Sequence, residues 1–332
     1  MERPARRRQE TPPAKTSRVV AVVGSQSFLG VRLCARLLED PTIERVVAID
    51  IRPPETTSKK LVFACVDLTR PSADQELAQI LEEEGACSLV HLAFLANPIA
   101  NASYAHELEA IGTLHVVTAA AAARIERLVM QSTTAVYGAH PKNPNLLTED
   151  RLPVQPPASR FLADKLEAEK QVLRFATDHP AARVVVLRLG PVIGPTVDNL
   201  FSRYLTHRLA ASILGFDPLV QALHEDDAVA AFHHALVHTS AQGIYNVVAD
   251  GVVPLSTALR LCGTRAIPLP HSVASAVLNL LRSVGAGLTP ASLLDLVRYL
   301  WVADGTRMKR DLAFVPLHTT RDAIVSLTAR AT

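Results

Sequence analysis

From Arg18 onward the chain alternates short β-branched runs with helix-forming segments, and this alternation restricts its fold more than any other feature. The runs are RVVAVV (18–23), RVVAID (45–50), LVFACVD (61–67), SLVHLA (88–93), RLVMQS (127–132) and ARVVVLRL (182–189). Helical patterns separate them over Phe28–Leu38, Ala73–Glu84, Tyr104–Arg124 and Phe161–Thr177. Strands that are apolar on both faces need cover on both faces, so the pattern predicts an α/β fold with a doubly wound parallel sheet. Right-handed crossovers then place a ligand at the carboxyl ends of the strands. After Gly190 the alternation becomes irregular and proline-punctuated, which predicts a core over 18–190 and a smaller C-terminal substrate cap over 191–332. GIYNVV (243–248) reads as one strand sent back into the core.

The first 17 residues are polar, basic and proline-containing, and read as a disordered tail, with Arg6, Arg7 and Arg8 solvated. They lack the apolar run of a signal peptide. No stretch reaches the roughly 20 apolar residues of a membrane span. Net charge is only +2, which argues against a nucleic-acid face. Four scattered cysteines, Cys34, Cys65, Cys87 and Cys262, form no CxxC pair and fit a reduced, cytoplasmic setting.

VVAVVGSQSFLG places Gly24 directly after the first strand and Gly30 inside the following helix. Gly24 permits the tight turn, and Gly30 lets the helix pack closely on the sheet. The helix start at Ser27, Phe28 and Leu29 then offers free N–H groups and a positive dipole end to a pyrophosphate. Asp50 ends the second strand, where a carboxylate can hold both ribose hydroxyls of NAD and repel the 2′-phosphate of NADP. Arg52 stands close enough to neutralise that phosphate instead. NAD is the expected cofactor, with NADP the weaker choice.

Together these features resemble the NAD-dependent epimerase/dehydratase family, the extended short-chain dehydrogenases, from about Arg18 to about Ile324. The family's GxxGxxG loop reads Gly24, Ser27, Gly30 here, with serine in the middle. The resemblance implies a Rossmann fold, adenine contacts from Asp67 and Leu68, and a stretch beneath the cofactor at Leu92 and Ala93. Gly112 and Thr113 match half of the NVxGT helix motif, with Glu109 where asparagine is usual. STTAVYG (132–138) resembles the family's SSxxVYG and puts Thr133 at the catalytic Ser/Thr position. The closing stretch MKRDLAFVPLHTTRDAI also resembles the family's.

The family's Tyr-x-x-x-Lys pair sets a phenol and an ammonium one turn apart on a helix. Here the segment reads Phe161, Leu162, Ala163, Asp164, Lys165, with Glu169 one turn on. Lys165 can still hold the nicotinamide ribose, but Phe161 has no proton to give. Asp164, on roughly the same face, and Tyr137, one strand away, are the candidate substitutes. The ordinary role of the first is a solvated helix charge, and of the second a structural part of the VYG turn. In RLGPVIGP (188–195), Pro191 replaces a substrate-binding asparagine of the nucleotide-sugar enzymes and Ile193 a tyrosine, which brings the chain nearer the reductase and hydroxysteroid-dehydrogenase branches.

HEDDAVAA (224–231) resembles the family's HVxDVAxA, and Asp226 or Asp227 is read as a cap for the helix that follows. His234 and His238 have a metal-ligand spacing, but no third ligand is near, so no metal is expected. The apolar spacing across Val273–Leu300 reads as an ordinary core helix pair rather than a cap over a greasy substrate. The expectation is an NAD-binding enzyme acting on a sugar, sterol-like or other hydroxylated small molecule. In it Thr133 orients the substrate oxygen, and the proton comes from Asp164, Tyr137, water or the substrate. The alternative is a catalytically silent dinucleotide-binding sensor or scaffold. The family resemblance also implies a homodimer, through the helices near Tyr104–Arg124 and Phe161–Thr177.

Overall fold

The computed structural model describes residues 18–152, 159–238, 240–283 and 291–331. The basic tail lies outside them. Seven parallel strands form one sheet in the order β11-β6-β5-β4-β1-β2-β3. Six of them are β1 (Arg18–Val23), β2 (Ile43–Asp50), β3 (Leu61–Cys65), β4 (Ser88–His91), β5 (Arg127–Thr133) and β6 (Arg183–Leu189). The chain first winds outward from β1 to β3, then returns to β4 on the other side of β1. The strand order therefore reverses between β1 and β4, where a doubly wound sheet opens its crevice.

Period-two alternation in β1 explains the layers. Val20 and Val22 pack with Leu29, Leu33 and Leu37 of α1 (Phe28–Glu39). Ala21 and Val23 face the other way, toward α2 (Ala73–Glu83). On that second face the helical run begins with α3 (Ala102–His106), passes through a π-turn at Glu107–Ile111, and continues as α4 (Gly112–Ala122). Next to it lies α5 (Arg160–Asp178). These buried Val and Leu side chains each contribute about 1.5–3 kcal/mol by leaving water.

Two of the element boundaries that differ from the sequence reading have clear local reasons. β3 stops at Cys65 rather than Asp67, because Asp67 Oδ1 accepts from the N–H and hydroxyl of Thr69 (3.0 and 2.7 Å) and turns the chain. The long helix begins at Ala102 rather than Tyr104, because Asn101 Oδ1 accepts from Tyr104 N (3.0 Å) and caps it.

Beyond Gly190 come short strands β7 (Val192–Ile193), β8 (Leu209–Ile213), β9 (Leu219–Val220) and β10 (Leu223–His224), with α6 (Leu200–Thr206). α7 (Glu225–Val237) then packs against α1, and β11 (Gly243–Val247) pairs in parallel with β6. The rest is β12 (Val253–Pro254), α8 (Leu255–Leu261), β13 (Arg265–Leu269), α9 (His271–Ser283), a 3-10 segment at Ala291–Val297, α10 (Thr306–Asp311) and α11 (Thr320–Ser326). Among the described residues no helix is long and apolar enough to cross a membrane.

HEDDAVAA does not cap as expected. His224 is the N-cap of α7, its Nδ1 accepting from Asp226 N at 3.3 Å. Asp227 is buried inside the first turn and accepts from Leu317 N (2.8 Å), His318 N (3.0 Å) and His318 Nδ1 (2.9 Å). It ties the C-terminal segment to the core. Asp226 pairs with Arg32 instead, at 2.7 Å.

Candidate active site

The glycine loop has the shape expected of it. Gly24 has φ +80°, and a Cβ there would meet Ala93 N at 2.5 Å. On Gly30 a Cβ would meet Gly24 O at 2.2 Å, so strand and helix touch through these two positions. Ser27 Oγ accepts from Gly30 N at 3.1 Å, so the serine hydroxyl turns into the helix as its N-cap. Gln26 N donates to Asp50 Oδ2 at 2.9 Å. Among the described residues, the N–H groups of Phe28 and Leu29 have no protein acceptor. They are the first two of α1, where its dipole is positive. That free pair, at a turn opened by Gly24, fits a pyrophosphate.

Asp50 lies at the end of β2, its Oδ1 accepting from Arg52 N at 3.3 Å. The Arg52 guanidinium reaches back to Gln26 O at 3.4 Å. Beyond them, Asp67 sits half-buried at the turn after β3, and buried Leu68 packs on the helix at Gly112. Leu92 is fully buried beneath the loop and donates its N–H to Val23 O (2.8 Å).

Beside this loop lies a cleft of about 900 Å³. It gathers Ser27, Phe28, Leu29, Thr133, Phe161, Lys165 and Pro191 along one wall, at the carboxyl ends of the strands. Gly24, Gly30, Leu92 and Ala93 lie under the loop, while Asp50, Arg52, Asp67 and Leu68 lie toward β2 and β3, outside the cleft.

Lys165 is buried and ion-paired with Glu109, Nζ to Oε1 at 2.8 Å. A second Nζ proton goes to Leu95 O at 2.9 Å. Leu95 N closes the ring onto Glu109 Oε1 at 2.6 Å. An ammonium has three donors, so one remains for the cleft. The centroid of the Phe161 ring stands 4.5 Å from Nζ, a cation–π contact. Burial pushes the Glu109 carboxyl above its ordinary range, against the pull of Lys165. Glu109 sits on the π-turn, a distortion often found at functional sites. Its charge departing from asparagine was the one sequence sign of this pair.

Neither candidate proton donor reaches the cleft. Asp164 is not a solvated charge: it is 4% exposed, and its Oδ1 lies 2.8 Å from His106 Nδ1. The reason is the neighbouring α3, which brings His106 over that face of α5. The Tyr137 hydroxyl donates to Asn246 Oδ1 (2.8 Å) and accepts from Arg188 Nη1 (2.7 Å). Burial raises its phenol further, opposed by Arg188. Arg188 also grips Glu169, which accepts from Ser132 Oγ at 2.6 Å. This buried network, Ser132–Glu169–Arg188–Tyr137–Asn246, braces the strand end that carries Thr133.

In the segment read as a core helix pair, residues 284–290 lie outside the described residues, and the parts on either side line the cleft. Ala274, Val277 and Leu278 of α9 and Leu293, Leu294 and Val297 after it line the cavity. Only part of it is core: Ala274 and Leu294 pack on Ile213. The same spacing serves either role, because a helix facing a cleft is as apolar on one side as a helix facing a core. Phe94–Pro98 and Trp301, which no motif singled out, also line it. His234 Nε2 lies 2.7 Å from Leu312 O, and no group of three metal-ligating side chains occurs among the described residues.

Fold and site define a Rossmann-fold protein with a dinucleotide-shaped loop opening onto an apolar cleft. The profile of the NAD dependent epimerase/dehydratase family matches residues 20–248, and the chain belongs to that family. An uncharacterised protein of Mycobacterium tuberculosis is 33% identical over 313 residues, covering 92% of this chain and 82% of that protein. Among solved structures, MoeE5 in complex with UDP-glucuronic acid and NAD superposes with a TM-score of 0.71 at 22% identity, covering 95% of this chain and all of the other. The Bordetella bronchiseptica enzyme WbmG in complex with NAD gives 0.68 at 18% identity, with coverage of 96% and 95%. Similarity at these identities speaks to the fold.

Proposed function

We propose that this chain binds NAD and acts as an oxidoreductase or epimerase on a sugar or other hydroxylated small molecule, by a route that does without the family's tyrosine. One observation carries the reading: Ser27–Leu29, Thr133 and Lys165 meet in a single cleft. The pyrophosphate would lie on the Phe28 and Leu29 N–H groups, the adenosine ribose on Asp50, and the adenine by Asp67 and Leu68. Leu92 and Ala93 support the loop from below, and Pro191 edges the nicotinamide end. Asp50 favours NAD over NADP, and the NAD-bound relatives of the same fold support that choice.

Bound there, NAD would supply a hydride acceptor. The third N–H of Lys165 would hold a ribose hydroxyl, and Thr133 Oγ1 would orient the substrate oxygen. With Asp164 and Tyr137 engaged elsewhere, the hydroxyl proton passes to water in the cleft. Losing a positioned acid/base residue costs roughly 10²–10⁴ in rate, so turnover is slow. The alternative, a silent dinucleotide-binding protein, draws on the Glu109–Lys165 pair, which neutralises the ammonium that would hold a tyrosinate.

Incubation with NAD and a panel of sugars and alcohols tests the choice, read by NADH absorbance for net oxidation and by chromatography for redox-neutral conversion of the sugar. The enzymatic reading expects slow turnover in the native protein and roughly a hundred-fold gain in Phe161→Tyr. If neither protein turns over any substrate while both bind NAD, the silent reading replaces it.

A further inference from the structure

The two walls of the cleft differ in chemistry. On the Rossmann side, Thr133 and Lys165 give a polar end. The same lining also holds Leu269, Ala274, Val277, Leu278, Leu293 and Leu294, side chains with no hydrogen-bonding group, while Asn97, Asn199 and His207 add uncharged polar groups. The lining contains two permanent cations among the described residues, and each is already met by a carboxylate. Lys165 is paired with Glu109 at 2.8 Å. Arg203 donates from Nε to Asp198 Oδ1 at 2.7 Å and from Nη2 to Asp198 Oδ2 at 2.6 Å, a bidentate fork. A substrate bearing a diphosphate brings about two negative charges, and any cation that received them would have to be shared with the carboxylate that already holds it.

The apolar wall also continues outward. Val277 lines the cleft yet is 44% exposed, and Val273, Leu280 and Leu281 extend the stripe along α9 at 46%, 64% and 39%. Exposed apolar side chains at helical spacing are costly to leave in water, and this stripe includes one residue, Val277, that lines the cleft.

Resting on the dinucleotide reading above, we infer that the substrate is an apolar alcohol or ketone, polycyclic or long-chain, rather than a nucleotide-linked sugar. Its oxygen lies at Thr133 and its hydrocarbon body runs along α9 and residues 291–297. Affinity comes from apolar area removed from water, and the polar contact at Thr133 sets orientation.

Thermal shift on the full chain tests this, with NAD added first and its own shift recorded. The NAD-loaded protein is then offered testosterone, dodecanol or UDP-glucose. At least one of the two apolar probes raises the melting temperature further, and UDP-glucose does not. Val277→Asp, on an exposed helix face, weakens the apolar probe about ten-fold by putting a charge against hydrocarbon and leaves the NAD shift intact. Stabilisation by UDP-glucose, by none of the three, or an unweakened Val277→Asp overturns the inference. Absence of the NAD shift itself fells the underlying reading, and the inference with it.

Discussion

His91 lies at the end of β4 with its ring fully buried, Nε2 2.8 Å from the Thr113 hydroxyl. Its Nδ1 has no partner, and burial pushes its pKa down to about 3. The unfolded chain protonates this ring near pH 6.5 while the folded chain does not. Between those values the unfolded state binds the extra proton, so stability falls as pH falls. From pH 7 to pH 5 the loss from this residue is about 2 kcal/mol, and it fades out above pH 7. In urea melts at pH 7 and pH 5 the native chain should lose about 2 kcal/mol more than His91→Gln. A matching slope in the variant would assign the acid sensitivity elsewhere. Gly30→Ala makes the second residue-scale prediction. Its methyl would meet Gly24 O at 2.2 Å, so the loop must shift and dinucleotide affinity should fall at least ten-fold by calorimetry.

At the scale of elements, the buried Arg188–Glu169 pair links β6 to α5 under the site. Arg188→Leu leaves Glu169 charged and buried, and should cost about 3–5 kcal/mol in denaturant unfolding. Adding Glu169→Leu should recover part of that loss, because no uncompensated charge remains; a strictly additive double variant would contradict the pairing. This scale is also where sequence reading succeeded and failed. The sheet strands were legible because β-branched runs covered on both faces have few other readings, and α1 because Ser27 and the 3.6-residue spacing mark it. Asp67's turn was not, since only the Thr69 hydrogen bonds end β3. Glu109 and Lys165 are 56 residues apart, and His106 and Asp164 are 58 apart. Pairings at such separations depend on how two helices cross, which local pattern does not encode. For the same reason Val273–Leu300 read as core.

Across the whole molecule, the loop, the braced Thr133 strand and the α9 wall make one ligand channel at the sheet's reversal point. The homodimer implied by the family resemblance belongs here too. Leu114 is 47% exposed on the outer face of α4, beside α5, and would be covered by a second copy. Light scattering after size exclusion should give twice the 35.8 kDa chain mass, and Leu114→Glu should return it to one. A native chain that elutes at the mass of one copy rules that interface out. Every role proposed for these residues requires dinucleotide binding. Calorimetric titration of the native chain with NAD, NADH, NADP and NADPH tests it most directly. Saturable one-to-one binding of NAD or NADH, tighter than that of the phosphorylated pair and weakened at least ten-fold by Asp50→Ala, is the predicted result. No heat of binding and no thermal shift with any of the four would contradict it.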